Sequence, residues 1–207
     1  LFSQNKNTKV VVNYPRRFLP IVEYWRKEIN TNKLGKFIHG NIIYGKGLLT
    51  NGTHFINLVQ RWLGELEFEK KTNEWPSLYK YDREINFILK LKNQKSFIHI
   101  NSMSTKTLRA GEIDLWFENG RLCWINNGES ILFWPKKENP LLLDSYDVLE
   151  SNPEIFPTLS HKSQFHVLES IQKILSKNSE LLNLSNLDDS MQTMELIHNV
   201  FSSKIND

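Results

Sequence analysis

The sequence is poor in the features that assign a protein to a class at once. Its single cysteine, Cys123, excludes an internal disulfide and favours a reducing compartment. No apolar run approaches the roughly 18 residues that a membrane-spanning helix needs. Lys and Arg number 26 against 23 Asp and Glu, a surplus of +3, which is small for a protein that binds nucleic-acid phosphates. The first residues do not resemble a signal peptide, so we expect a cytoplasmic protein with no membrane or nucleic-acid partner.

Several catalytic motifs are missing as well. No G-x-G-x-x-G follows a predicted strand and no G-x-x-x-x-G-K-[ST] occurs, so the sequence encodes no loop that cradles phosphates. No G-x-S-x-G motif offers a serine nucleophile. The histidines do not pair with cysteine or acidic residues at metal-site spacing, and we predict no bound metal. The six histidines are His39, His54, His99, His161, His166 and His198.

The chain does contain enough apolar material for a core. It has 207 residues, of which 40% are hydrophobic and 24% charged, a composition typical of globular proteins and not of disordered ones. This length suits one large domain or two small ones.

The first part of the chain mixes strand and helix patterns. A β-branched run that ends at Pro15 predicts a buried strand, and Pro20 is well placed in the first turn of a helix. We predict strands over 9–14 and 36–44, helices over 20–30 and 53–63, and an irregular connection over 65–82 with a short strand near 66–68.

From residue 83 onward the apolar residues alternate, which is typical of strands. We predict strands over 83–91, 97–101, 112–118, 121–125 and 130–134, with helices over 163–176 and 187–203. Asn119-Gly120 and Asn127-Gly128 are strong hairpin signals, because both turn positions need positive φ. In the last helix, Ser185 and Asp188 fit a capping box, and the predicted buried stripe is Met191, Met194, Ile197 and Phe201.

Together these elements predict an α+β fold with a large, open, mostly antiparallel sheet and helices on one face. The other face is semi-polar. Four aromatic side chains occupy positions that lean toward this face, and they have two interpretations. They are either a surface for a partner, most simply a second copy of the chain, or part of the core. The four are Trp116, Trp124, Phe133 and Trp134.

Residues 44–57 are the segment most suggestive of chemistry. A predicted strand ends there, three glycines allow close backbone approach, and His54 falls in the first turn of an apolar helix. The positive end of a helix dipole lowers the pKa of an imidazole, and a neutral imidazole is what a general base needs. His54 is therefore a candidate base, and the alternative is a histidine that only caps the turn.

Five segments carry a resemblance to a known family. They are 11–20 (VVNYPRRFLP), 34–36 (LGK), 46–58 (KGLLTNGTHFINL), 62–64 (WLG) and, in the last helix, 189–197 (DSMQTMELI). In order and spacing they resemble the Gfo/Idh/MocA oxidoreductases, named after glucose–fructose oxidoreductase, inositol dehydrogenase and rhizopine catabolism. The resemblance extends over nearly the whole chain, and its specificity rests on the first 64 residues.

The resemblance implies a domain division. Family members join an N-terminal Rossmann domain to a C-terminal domain with an open sheet, which contacts substrate and often forms the oligomer interface. Residues 1–14 resemble a linker and the last strand of the nucleotide domain, and 15–207 resemble the C-terminal domain. Since the sequence begins at Leu1 and has no glycine loop, we expect a fragment that lacks the Rossmann domain.

The resemblance also implies site residues. His54 matches the catalytic histidine that takes the hydroxyl proton, but Thr50 stands where the family usually has the aspartate that orients it. Asn57 replaces a second common aspartate, so His54 should be a weaker base. The implied substrate-binding residues are Lys46, Thr50, Asn51, Arg16 and Tyr14, and the implied cofactor-binding residues are Asn13 and Arg17. NAD or NADP is expected in the full-length protein and not on this chain alone.

The resulting hypothesis is the substrate-binding and catalytic-base domain of an NAD(P)-dependent oxidoreductase that acts on a sugar, cyclitol or nucleotide sugar. We expect a homo-oligomer formed through the open sheet face. The alternative is a non-catalytic sugar-binding or dimerisation module derived from the same family, because Thr50 and Asn57 replace the expected acids.

Overall fold

The computed structural model describes residues 10–103, 111–138, 146–177 and 186–205. These residues form four α-helices and nine strands. The helices are α1 (Pro20–Asn30), α2 (Thr53–Leu63), α3 (Ser163–Lys177) and α4 (Leu187–Ser202). The strands are β1 (Phe37–Tyr44), β2 (Leu66–Pro76), β3 (Arg83–Leu91), β4 (Phe97–Ser102), β5 (Gly111–Phe117), β6 (Gly120–Ile125), β7 (Ser130–Lys137), β8 (Val148–Leu149) and β9 (Glu154–Pro157).

All nine strands join one open sheet. Its order is β2-β3-β4-β1-β5-β6-β7-β8, and β9 pairs with β7 outside this path. Only the central pair β1–β4 is parallel, and the other described pairs are antiparallel. The prediction of an α+β fold with a mostly antiparallel open sheet is confirmed.

The core lies between one sheet face and the helices. Trp25 of α1 and Trp62 of α2 are 2% exposed, and the Trp62 indole N–H donates to the carbonyl of Val22 at 3.0 Å. Beneath them, the Tyr44 hydroxyl donates to the carbonyl of Ile85 at 2.8 Å and so ties β1 to the start of β3. Burying each of these large side chains stabilises the fold by roughly 1.5–3 kcal/mol.

The four aromatic side chains left open by the sequence divide between the two interpretations. Trp124 is 1% exposed, and Phe133 packs on the Trp25 ring with centroids 5.0 Å apart, so both belong to the core. Trp116 is 37% exposed on the opposite face. There the Arg121 guanidinium lies 4.8 Å from the Trp116 ring and 5.3 Å from the Trp134 ring.

Two strand predictions were wrong. Residues 10–14 have no regular secondary structure, because none of the strands in the described ranges pairs with them. Hydrophobic β-branched residues alone do not make a strand when no neighbour supplies a ladder. Conversely, β2 extends over Leu66–Pro76 although the sequence predicted only 66–68, because β3 pairs with it along its whole length despite two register shifts.

The turn between β5 and β6 also differs from prediction. Phe117 pairs with Gly120, so the loop of the β5–β6 hairpin is Glu118-Asn119, and neither residue has positive φ. Gly120 lies in β6, where a Cβ would come within 2.6 Å of the Trp134 carbonyl oxygen.

In α4 the cap is Asn186, whose side chain accepts from the Asp189 N–H. The predicted cap Ser185 lies outside the described residues. Met191 and Met194 are exposed, whereas Ile197 is buried as predicted together with Ser190, Thr193, Leu196 and Val200. The buried face of α4 is rotated relative to the predicted stripe, because α4 packs against α2 through the small polar Thr193.

None of the helices in the described part of the chain is both long enough and apolar enough to cross a membrane.

Candidate active site

The segment between β1 and α2, residues 45–52, is called the site loop below. Gly47 has a φ of 92°, and residues Leu48–Gly52 form one π-helical turn that runs into α2. The Thr53 hydroxyl donates to the Leu49 carbonyl at 3.0 Å and fastens the loop to the first helical turn. His54 therefore lies at the start of α2, as the sequence predicts.

His54 opens onto a cleft of about 680 Å³. Two groups of residues line it, one early and one late in the chain. The early wall is Pro15, Arg16, Leu19, Lys46, Thr50, Asn51 and His54, and the late wall is Asn126, Asn127, Glu129, Ser160, His161 and Ser163. Since most of these side chains carry hydrogen-bonding groups, the cleft suits a polar ligand better than an apolar one.

The His54 ring is held by packing. Tyr14 meets it edge-on, with ring centroids 5.3 Å apart. Burial, and then the nearby Arg16 guanidinium, lower the pKa of His54 to about 4. The sequence predicted a lowered pKa from the helix dipole. The predicted lowering of the His54 pKa agrees with the structure. Burial and the neighbouring Arg16 cation, which the sequence did not predict, are causes of it.

One nitrogen of His54 has no hydrogen bond. Nδ1 is buried and has no partner among the described residues. The Thr50 hydroxyl therefore does not take over the aspartate's task of fixing the imidazole tautomer. An imidazolium formed here would have a buried N–H with no acceptor, which makes the charged ring costly.

Arg16 is positioned along the same wall. Its guanidinium lies 4.2 Å from the Phe55 ring centre, and Nη2 donates to the Asn51 Oδ1 atom at 3.4 Å. Asn51 in turn donates from Nδ2 to the Gly45 carbonyl at 2.9 Å. Arg16, Lys46, Thr50, Asn51 and His54, all predicted site residues, therefore share one cleft.

The other predicted site residues lie outside the cleft lining. Tyr14 is buried behind His54, and Asn13 is exposed, with its amide 3.4 Å from the Gln164 side chain. Arg17 is buried, and it donates to Asp189 at 2.7 Å and to Asn57 at 3.2 Å. Its ion pair joins the start of the chain to α4, which favours a structural role.

Asn57 has a structural reason to be an amide. Its Oδ1 accepts from Arg17, while its Nδ2 donates to the Thr193 hydroxyl at 2.9 Å. A carboxylate has no proton to donate to the Thr193 hydroxyl, which directs its own proton to the Gln60 side chain at 2.7 Å or to the Asp189 carbonyl at 3.0 Å. This residue therefore joins α2 to α4 and does not line the cleft.

None of the predicted site residues lies on the late wall. Asn126 and Asn127 have φ of 52° and 56°, and Gly128 follows with 91°. A Cβ on Gly128 would lie 2.1 Å from the Trp124 ring. The Asn127-Gly128 signal did locate this turn, but nothing local indicated that the turn would face His54.

The site loop is not a dinucleotide site. Peptide N–H groups of glycine-rich loops bind phosphates when they are free. Here the N–H groups of Gly47, Leu49 and Thr50 donate to the carboxylates of Glu84 and Asp82 at 2.8–3.0 Å. These three N–H groups of the site loop are therefore not available to the pyrophosphate of NAD or NADP.

No protein-family model and no curated protein matches the sequence. Solved structures do match the fold. An oxidoreductase from Sinorhizobium meliloti aligns at TM-score 0.69 and 12% identity, over 96% of this chain and 63% of that one. KijD10, a 3-ketoreductase from Actinomadura kijaniata in complex with NADP, aligns at TM-score 0.69 and 14% identity, over 97% and 62%.

A transcriptional regulator is equally similar. Gal80p from Kluyveromyces lactis aligns at TM-score 0.70 and 15% identity, over 97% of this chain and 61% of that one. The chain thus spans less than two thirds of each of these proteins. At such identities the likeness concerns the fold, and at the level of the fold it confirms the resemblance to the Gfo/Idh/MocA oxidoreductases.

Proposed function

We propose that this chain is the substrate-binding and catalytic-base domain of an NAD(P)-dependent oxidoreductase. The observation that carries the proposal is His54, a neutral imidazole at the wall of a polar cleft of about 680 Å³. The likeness to an NADP-bound ketoreductase supports it. In this proposal a nucleotide-binding domain precedes residue 15, and residues 1–14 lead out of it.

The proposed chemistry is the oxidation of a secondary alcohol. NAD(P), held by the other domain, supplies the acceptor for the hydride that leaves the carbinol carbon. This chain takes the hydroxyl proton on His54 as the C=O bond forms. Because Nδ1 is buried, Nε2 is the nitrogen that receives the proton, so the neutral ring that acts as base carries its hydrogen on Nδ1.

The pKa of His54 makes it an available but weak base. With a pKa of about 4, the ring is unprotonated throughout the neutral range. A base whose pKa lies well below the working pH provides less driving force for proton transfer than one near 7. We therefore expect slow turnover unless the bound ligand or the second domain stabilises the imidazolium.

The proposed substrate is a sugar, cyclitol or nucleotide sugar. Lys46, Thr50, Asn51 and Arg16 place amino, hydroxyl, amide and guanidinium groups along one wall, which can bind several hydroxyls at once. A ketoreductase of the same fold is described in complex with TDP-benzene and NADP. Tyr14 contributes by packing on His54. Cofactor contacts by Asn13 and Arg17 stay predictions, as does the cytoplasmic location.

The alternative proposal is a binding module without catalysis. Two observations favour it: His54 Nδ1 has no partner among the described residues, and Gal80p, a transcriptional regulator, has the same fold. In that case the cleft binds a sugar-like ligand, and binding alone is the function.

We also propose that the open sheet face joins two copies of the chain. Ile38, Phe97 and Trp116 are 53%, 37% and 37% exposed on strands β1, β4 and β5. Exposed apolar side chains on neighbouring strands are typical of an interface. Light scattering tests this proposal, and a strict monomer at high concentration would contradict it.

The catalytic proposal is tested by His54→Asn in the full-length protein. Losing the general base should lower turnover by about 10²–10⁴-fold with little change in substrate affinity. His198→Asn, in the exposed end of α4, is the matched control and should keep wild-type turnover. Unchanged turnover in His54→Asn would remove this residue from the mechanism.

A further inference from the structure

Two buried carboxylates lie beside the cleft without lining it. Asp82 is 0% exposed and Glu84 is 3% exposed. Neither forms an ion pair with a Lys, Arg or His side chain of the described ranges, although ion pairs occur elsewhere in the molecule. Burying a carboxylate costs several kcal/mol unless hydrogen bonds replace its hydration. The partners of these two groups therefore need an explanation.

The partners are backbone N–H groups of the site loop. Asp82 accepts from Leu49 at 3.0 Å and from Thr50 at 2.9 Å. Glu84 accepts from Gly47 at 2.8 Å through one oxygen, and from the Ser102 hydroxyl through the other. Asp82 also accepts from the Arg83 N–H at 2.7 Å. Three of the five donors thus belong to four consecutive residues of one loop.

The loop backbone is shaped around these carboxylates. A Cβ on Gly47 would lie 2.1 Å from Asp82 Oδ2, so only glycine allows the carboxylate to approach this closely. Lys46, which is not glycine, has a φ of 69° in the left-handed region. That conformation costs about 1 kcal/mol or more, and the neighbouring hydrogen bonds hold it.

The loop transmits this constraint to His54. The N–H groups of Asn51 and Gly52 donate to the Gly47 carbonyl at 3.0 and 3.2 Å, and the Thr53 hydroxyl donates to the Leu49 carbonyl. Asn51, Gly52 and Thr53, the three residues that precede His54, are thus each tied to a residue that the carboxylates hold.

We propose that Asp82 and Glu84 are positioning residues: through the N–H groups of Gly47, Leu49 and Thr50 they fix the site loop, and so the placement of Lys46, Thr50 and His54 in the cleft. The role of His54 as base rests on the proposed function, whereas its placement does not. A charged acceptor makes hydrogen bonds roughly twice as strong as a neutral one, which suits a carboxylate for this task.

The test is Asp82→Asn in this chain, with His54 followed by NMR titration. The amide sets an NH₂ group against backbone donors, so at least one loop bond is lost. We expect the His54 midpoint to rise from about 4 toward its ordinary value of 6.5, because the loosened loop admits water to the ring. In the full-length protein we expect kcat to fall by about 10- to 100-fold, with KM changed by less.

The matched control is Glu74→Gln. It is also an acid-to-amide change, and it removes the charge that pairs with Lys71 at 2.9 Å and with Arg83 at 3.4 Å, while the carboxylates that hold the site loop stay unchanged. It should lower the melting temperature and leave the His54 midpoint and kcat at wild-type values. Glu84→Gln weakens only the Gly47 and Ser102 bonds, so it should also raise the His54 midpoint, but by less than Asp82→Asn does. If Asp82→Asn does not fold, Glu84→Gln serves as the test in its place.

A folded Asp82→Asn with the wild-type His54 midpoint would overturn the proposal. So would a Glu74→Gln variant that shifts the midpoint as much, since the effect would then be general destabilisation. If the full-length protein has no oxidoreductase activity, the proposed function fails, and the titration of His54 still decides the positioning role.

Discussion

The two walls of the cleft are built differently. The early wall comes from two segments, around Arg16 and around His54, and each carries a recognisable local pattern. The late wall comes from the β6–β7 turn and from the start of α3, which are about 35 residues apart and carry only general turn and helix signals. Chemistry that depends on helix starts and glycine loops can thus be found in sequence, whereas a wall whose segments carry only general turn and helix signals cannot.

Because the early wall buries its histidine, the stability of the fold should depend on pH. The unfolded His54 takes up a proton below about pH 6.5, whereas the folded ring does so only below about 4. Stability is therefore fully present above pH 6.5 and is lost as the pH falls toward 4. By linkage the loss is on the order of 3 kcal/mol.

This prediction is measured by urea unfolding of the chain between pH 7 and 4.5. His54→Asn should lose less stability over this range than the wild type, and His198→Asn should follow the wild type. If the free energy of unfolding fell equally with pH in the wild type and in His54→Asn, the His54 ring would be more solvated than the structure shows.

If the late wall only binds, its variants should affect affinity and not turnover. Glu129→Ala removes a carboxylate from the cleft lining, and we expect KM to rise by about fivefold, or roughly 1 kcal/mol, with kcat unchanged. Glu138→Ala, just beyond the end of β7, is the matched control and should leave both constants unchanged. A fall in kcat at constant KM would instead place Glu129 in the chemical step and abolish the distinction between the walls.

The same contrast explains how much of the fold the sequence predicts. The helices around Trp25 and Trp62 and the strands β3 to β7 follow their periodicity, because each buries one face against the core. The length of β2 and the missing strand at 10–14 depended on whether a partner strand was present, which no local pattern encodes.

Within the site, the sequence located His54, Lys46, Thr50 and Asn51 but did not predict the burial and the neighbouring cation that lower the pKa of His54. Burial by Tyr14 and the charge of Arg16 depend on how the start of the chain packs over α2. The same holds for Asp82, whose carboxylate lies next to Gly47 only because β3 runs alongside the site loop. Contacts between segments 30 or more residues apart decided each of these features.

The central claim is that the cleft serves redox chemistry and not binding alone. The direct measurement is the appearance of reduced nicotinamide when the full-length protein is mixed with NAD⁺ or NADP⁺ and a panel of sugars, cyclitols and nucleotide sugars. We expect reduction with at least one compound whose addition also shifts the NMR signals of His54 in this chain. Compounds that shift the His54 signals but give no reduction between pH 5 and 9 would contradict the claim and favour the non-catalytic alternative.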